Sequence, residues 1–138
     1  MEDNVKKFFD LAVEINTYGF FDIFVKYSQN ENRVLDMLSR SSDVVLPSYL
    51  SEKLQLSRVS VTLTLNSLES KGLIKRELSL SDRRKVNVSI TKKGEEVLEV
   101  IREEAYAFIK NLFAIIGVNK CEQLMDIMND IYTYVKGQ

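Results

Sequence analysis

The chain has no histidine among its 138 residues. It therefore lacks the side chain that titrates nearest neutral pH and the commonest protein ligand of zinc and related metals. It has one cysteine, Cys121. That thiol cannot form an internal disulfide, and no histidine is present to activate it, so an inert bystander in a reducing compartment is the simplest reading. No run of about 18 apolar residues is present, so no membrane partner is expected. The opening MEDNVKKFF lacks the basic segment and long apolar run of a secretion signal, and a cytoplasmic location follows as the expectation. No glycine-rich phosphate loop occurs, and the carboxylates are spread over helical surfaces. These absences point away from an enzyme, and no cofactor or metal is expected.

What the sequence does hold is charge sorted by position. The net charge is −1, but residues 51–93 carry ten basic and four acidic side chains, a surplus of six positive charges. Residues 1–50 carry five basic and eight acidic, and residues 94–138 four basic and eight acidic. A basic middle between acidic ends suits one surface that meets a polyanion and others that do not.

Hydrophobic spacing predicts helix over the first 25 residues, through Phe8, Leu11 and Ile15, with Gly19 as a bend and Phe20, Phe21 and Phe24 continuing an aromatic stripe. Ser28 and Glu31 have the spacing of a capping box opening a short helix to about Arg40, with Val34, Leu35 and Leu38 inward. Leu46-Pro47 opens the next, where the missing proline donor does no harm, and Leu50 and Leu54 face inward. Ser57 is placed to cap a helix from Arg58 to about Lys71, which buries Val61, Leu65 and Leu68 and stops at Gly72. Two such helices joined tightly match a helix-turn-helix.

The period then changes. Residues 73–80 suit one strand, and residues 85–90 alternate as a second, with Val86, Val88 and Ile90 on one face. The polar turn Ser81-Asp82-Arg83-Arg84 joins them into a hairpin with a basic tip. Thr91 caps a long helix to about Ile116, Gly117 breaks it, and a last helix covers residues 120–135. The fold class is mainly α with a small β-hairpin wing: a single domain over 1–138, with a winged helix-turn-helix core at 34–94. Segments 1–27 and 95–138 supply apolar helices for dimerisation, since two copies related by a two-fold axis can read two half-sites.

This arrangement nominates a set of DNA contacts. Ser57 and Arg58 stand at a helix N-terminus, where free N–H groups suit phosphate. Ser60 and Thr62 can exchange hydrogen bonds at base edges, and Asn66 could address adenine. Val59 and Leu63 either pack against the preceding helix or meet thymine methyl groups. Arg83, Arg84 and Lys85 on the projecting wing can enter a minor groove or bind its phosphates, with Asp82 shaping the turn. Lys71, Lys75, Arg76, Lys92 and Lys93 add phosphate contacts or long-range attraction.

The segment LSEKLQLSRVSVTLTLNSLESKGLIKRELSLSDRRKVNVSITKKGEEVL, residues 50–98, resembles the MarR family of winged helix-turn-helix transcription regulators. The most specific parts are SRVSV, LESKGLIKR, DRRKVNVSIT and ITKKG. The resemblance implies a homodimer on a pseudo-palindromic operator in double-stranded DNA, acting as a repressor more than as an activator. It places Ser57, Arg58, Ser60 and Thr62 in the DNA-contacting segment. Asp82 and Arg84 match the family's Asp-x-Arg wing pattern, with Arg84 the minor-groove residue. It also implies a small aromatic effector, for which Phe8, Phe9, Tyr18, Phe20, Phe21 and Phe24 are candidate lining. One departure stands out: Leu63 occupies a position where the family often has arginine. The competing reading is a global regulator that binds AT-rich DNA through shape and needs no effector.

Overall fold

The computed structural model describes residues 1–138. Packing divides them into two compact units, residues 1–102 and residues 103–138.

In the first unit the leading helical segment is two helices, α1 (Glu2–Thr17) and α2 (Asp22–Tyr27). They are separated at Gly19, whose φ of 73° lies in the left-handed region that side chains disfavour. No residue of α1 is buried. Helix α3 (Asn30–Arg40) follows, but the capping box expected from Ser28 and Glu31 does not form. Ser28 sits in helical geometry as the C-cap of α2 and donates to the Val25 carbonyl at 3.0 Å. Glu31 turns instead toward residues 67–71. A local serine–glutamate spacing is outcompeted here by a carboxylate that finds a cation across the fold.

Helix α4 (Pro47–Leu54) starts with its proline in the first turn, and α5 (Arg58–Ser70) follows after three residues. Strands β1 (Ile74–Leu78) and β2 (Val86–Ile90) pair antiparallel, Ile74 opposite Ile90 and Leu78 opposite Val86. Val45 adds a single bridge to Val88, whose N–H reaches the Val45 carbonyl at 2.8 Å. The core is the inward set expected from periodicity. Val34, Leu35, Leu50, Val61, Leu65 and Leu68 are all nearly inaccessible, and Ile74, Val88 and Leu98 close it from the sheet and from α6 (Lys92–Ile116).

Two polar devices fix this unit. Thr91 caps α6 by accepting the Gly94 N–H at 3.1 Å, while its own hydroxyl donates to the Gly72 carbonyl at 2.7 Å. Gly94 is required there, because a Cβ would overlap the Leu73 carbonyl oxygen and crowd Ile90 Cγ1. Asp36 accepts hydrogen bonds from Tyr27 Oη at 2.7 Å, Arg102 Nη2 at 2.7 Å and Arg40 Nη2 at 3.2 Å. Arg40 Nε lies 2.8 Å from its second oxygen. One carboxylate so ties α2 and α3 to α6.

The second unit contains the rest of α6 and helix α7 (Val118–Lys136), separated at Gly117, whose φ is 81°. Cys121 is the buried residue of α7, its thiol directed at the Phe113 carbonyl. Met125, Ile127, Met128, Ile131, Tyr132 and Val135 are each more than half exposed. No helix is long and apolar enough to cross a membrane.

Candidate nucleic-acid interface

The turn between α4 and α5 sets the geometry. Gln55 adopts the left-handed conformation, φ 52° and ψ 44°, which reverses the chain in one residue. Ser51 Oγ donates to the Leu56 carbonyl at 2.6 Å, and the Leu56 N–H returns to the Ser51 carbonyl at 3.0 Å. Ser57 then caps α5: its Oγ accepts the Ser60 N–H at 3.0 Å and donates to Ser60 Oγ at 2.8 Å. Thr62, which is exposed, donates from Oγ1 to the Arg58 carbonyl at 2.9 Å. These bonds pre-set the hydroxyls of Ser57, Ser60 and Thr62 along the first turns of α5.

Thr64 is buried, with its hydroxyl on the Ser60 carbonyl at 2.8 Å, so it belongs to the core side of α5. Val59 and Leu63 are 69% and 64% exposed. Neither side chain is buried against the preceding helix.

The wing tip is built by backbone bonds. Asp82 Oδ1 accepts the Arg84 N–H at 3.0 Å, the Lys85 N–H reaches the Asp82 carbonyl at 2.9 Å, and the Ser79 N–H reaches the Lys85 carbonyl at 2.9 Å. An Asx bond inside a four-residue turn holds the tip without using the side chains of Arg83, Arg84 and Lys85. All three are exposed and none enters an ion pair.

The other cations of the basic segment are mostly engaged within the protein. Lys71 lies 2.7 Å from Glu31 Oε2, and Ser67 Oγ donates to Glu31 Oε1 at 2.6 Å. Burial pushes the Glu31 carboxyl up, but the hydrogen bonds from Lys71 and Ser67 outweigh it and hold it below its ordinary value. Arg76 binds Glu69 and Asn66. Lys75 is 3.5 Å from Glu77, and Lys93 Nζ donates to the Lys71 carbonyl at 3.0 Å. Asn66, a candidate adenine reader by sequence, thus spends its carbonyl oxygen on Arg76. Arg58 carries no such partner and stands exposed at the start of α5, as does Lys92 at the start of α6.

This sorting is not legible from residue order, because Arg76 and Glu69 lie on opposite sides of the Gly72 turn and Lys71 and Glu31 are forty residues apart. The aromatic candidates do not gather into one lining. Phe20 and Phe21 meet edge to face with centroids 5.0 Å apart and Phe24 lies 6.1 Å from Phe20, while Phe8, Phe9 and Tyr18 are largely exposed.

Residues 28–85 match the sequence model of the MarR family. Among curated proteins, the chain is 29% identical over 108 residues to the uncharacterized HTH-type transcriptional regulator YdgJ of Bacillus subtilis, covering 78% of this chain and 65% of that protein. It is 32% identical over 104 residues to the HTH-type transcriptional regulator PapX of Escherichia coli, covering 73% of this chain and 63% of PapX. The matched part is just under two-thirds of the length of both relatives. In fold, the chain superposes on Streptococcus pneumoniae FabT, solved in complex with DNA, with a TM-score of 0.78 at 21% identity, covering 96% of this chain and 98% of that one.

Proposed function

The chain carries a MarR-family winged helix-turn-helix domain, and from that premise we propose that it is a homodimeric transcription regulator of the cytoplasm, chiefly a repressor, that binds double-stranded DNA at a pseudo-palindromic operator. The observation that carries this reading is the division of the cations. Those of the α5–β1 junction are neutralised within the fold, whereas Arg58 at the start of α5 and Arg83, Arg84 and Lys85 at the wing tip are free. Free cations held on rigid supports, beside oriented hydroxyls, are what phosphate anchoring requires. The binding of DNA by FabT, similar in fold, supports the same partner.

In this mechanism Ser57 and Arg58 anchor the N-terminus of α5 at the phosphates, and Ser60 and Thr62 face base edges in the major groove. Asp82 holds the wing so that Arg84, with Arg83 and Lys85 beside it, reaches the neighbouring minor groove. Residues 34–94 form the DNA-binding core. The end segments 1–27 and 95–138 supply the dimer interface, for which the exposed apolar residues of α1 and of α7 offer the surface. Two such cores related by a two-fold axis engage half-sites about 34–36 Å apart. A small aromatic effector bound beside Phe20, Phe21 and Phe24, the aromatic candidates that meet one another, would change that spacing and release the DNA.

Footprinting of the purified protein on genomic DNA at constant salt tests this reading. Paired protections one helical turn apart are expected. A uniform profile with no protected sites would contradict it. A second reading, shape-based binding of AT-rich DNA without an effector, is favoured by the scarcity of cations on α5 after Arg58. Retained affinity on shuffled DNA of equal composition would select it over base reading.

A further inference from the structure

We infer that α5 reads the C5 methyl groups of thymines in the major groove, through Leu63 and Val59. The inference rests on the DNA-binding reading above and specifies what the recognition helix recognises. Val59 and Leu63 are one helical turn apart, so they share a face. Both are more than three-fifths exposed, on a helix whose other apolar side chains, Val61, Leu65 and Leu68, are almost wholly buried. The exposed pair therefore does nothing for the core.

What surrounds it selects the occupant. Arg58, Ser60, Thr62 and Asn66 border the pair, so the apolar area is two side chains wide and closed by polar groups. That is too small for a protein-docking surface, which spans hundreds of square ångströms, and the free cations at Arg58 and on the wing direct a polyanion to this side of the molecule. Within the major groove only thymine among the four standard bases presents a methyl group, and apolar side chains read it by contact. The bordering Asn66 oxygen is already held by Arg76 at 2.9 Å, and the Thr62 hydroxyl is committed as a donor to the Arg58 carbonyl. Polar readout by the middle of α5 is correspondingly thin, and the methyl contacts carry discrimination there. A rise of about 1.5 Å per residue puts the two side chains roughly 6 Å apart along the helix, a reach suited to neighbouring or next-but-one thymines.

The test removes the methyl group and nothing else. Duplexes are selected from a randomised pool by the wild-type protein, then resynthesised with deoxyuridine for thymidine, which keeps Watson–Crick pairing. Binding is compared at one fixed salt concentration. Each contacted methyl should contribute about fourfold in affinity, the equivalent of burying one methyl-sized group. The uridine duplex should therefore bind more weakly by that factor per methyl. Leu63→Ala and Val59→Ala, both at exposed positions, should weaken binding to the thymidine duplex and shrink the ratio between the two duplexes. Arg84→Ala should weaken binding to both and leave the ratio intact. Equal wild-type affinity for the two duplexes would overturn the inference while leaving the DNA-binding reading standing. So would a uridine penalty that persists undiminished in Leu63→Ala/Val59→Ala, because it would then arise from duplex shape. Failure of the pool to yield any enriched duplex would overturn both.

Discussion

Arg76 on β1 donates from Nε to Glu69 Oε2 on α5 at 2.6 Å, and this pair joins the root of the wing to the C-terminal end of α5. A second bond, from Arg76 Nη2 to Asn66 Oδ1 at 2.9 Å, makes the joint two-pronged. A planar guanidinium held at two points resists rotation as well as separation. In the proposed DNA complex the wing and α5 reach adjacent grooves together, so their relative angle would matter for binding.

Arg76→Gln should weaken DNA binding several-fold while leaving the slope of log affinity against log salt unchanged. Removing a side chain that itself touches a phosphate would instead lower that slope by roughly 0.9. Because the pair is partly solvated, its removal should reduce folding stability by less than about 1 kcal/mol. Fluorescence anisotropy across a salt series separates the two roles.

Ser57 has a structural and a binding role that one pair of substitutions divides. Ser57→Ala removes the α5 cap and should destabilise the fold by about 1 kcal/mol in urea denaturation. Ser57→Asp keeps a side-chain acceptor and should be as stable as wild type or more so, since an anion suits a helix N-terminus. On DNA the same aspartate faces phosphate, so it should bind more weakly than the alanine variant.

The Asp36 cluster gives a pH dependence. Burial raises its carboxyl, but hydrogen bonds from Arg102, Tyr27 and Arg40 outweigh this and hold it below its ordinary value. A folded-state value below the unfolded one contributes stability that is complete above the unfolded value and is lost as pH falls through the lowered one. Asp36→Asn should therefore cost about 1–3 kcal/mol at neutral pH, and the gap to wild type should close only in strong acid. Urea midpoints measured down the acid range check it; a gap that does not change with pH would be the wrong result.

Gly94→Ala should be among the most damaging single-methyl changes in the chain. The added Cβ meets backbone, the Leu73 carbonyl, rather than a side chain that can move aside. Overpacking of this kind costs about 1–3 kcal/mol, and the thermal midpoint should fall accordingly, whereas Gly137→Ala, with its nearest neighbour at 3.4 Å, should leave the midpoint unmoved.

The winged architecture is readable in the sequence because its signals are local. Apolar spacing in α3 to α5, the Ser57 and Thr91 caps, and the alternation in β2 all arise within a few residues of one another. What escapes depends on distance or on unmarked conformation. Gln55 takes the left-handed turn position with no glycine to announce it. Glu31 has the spacing of half a capping box and is instead the partner of Lys71. The Val45 bridge to β2 joins segments more than forty residues apart. For the candidate site the residues themselves are legible, but which cations are free is not. Charge counting treats Lys71, Arg76 and Arg84 alike, and only tertiary pairing separates them.

If the free cations of the wing bind duplex DNA, the affinity of wild type and Arg83→Ala/Arg84→Ala for a footprinted duplex, measured across a salt series, will register their loss. Both arginines are exposed and unpaired, so the variant should keep the thermal midpoint of the wild type. Its DNA affinity should fall sharply, and its salt slope should drop by roughly 0.9 for each phosphate that the variant no longer neutralises. A variant that is equally stable and binds with wild-type affinity and slope would mean that the wing arginines do not contact DNA.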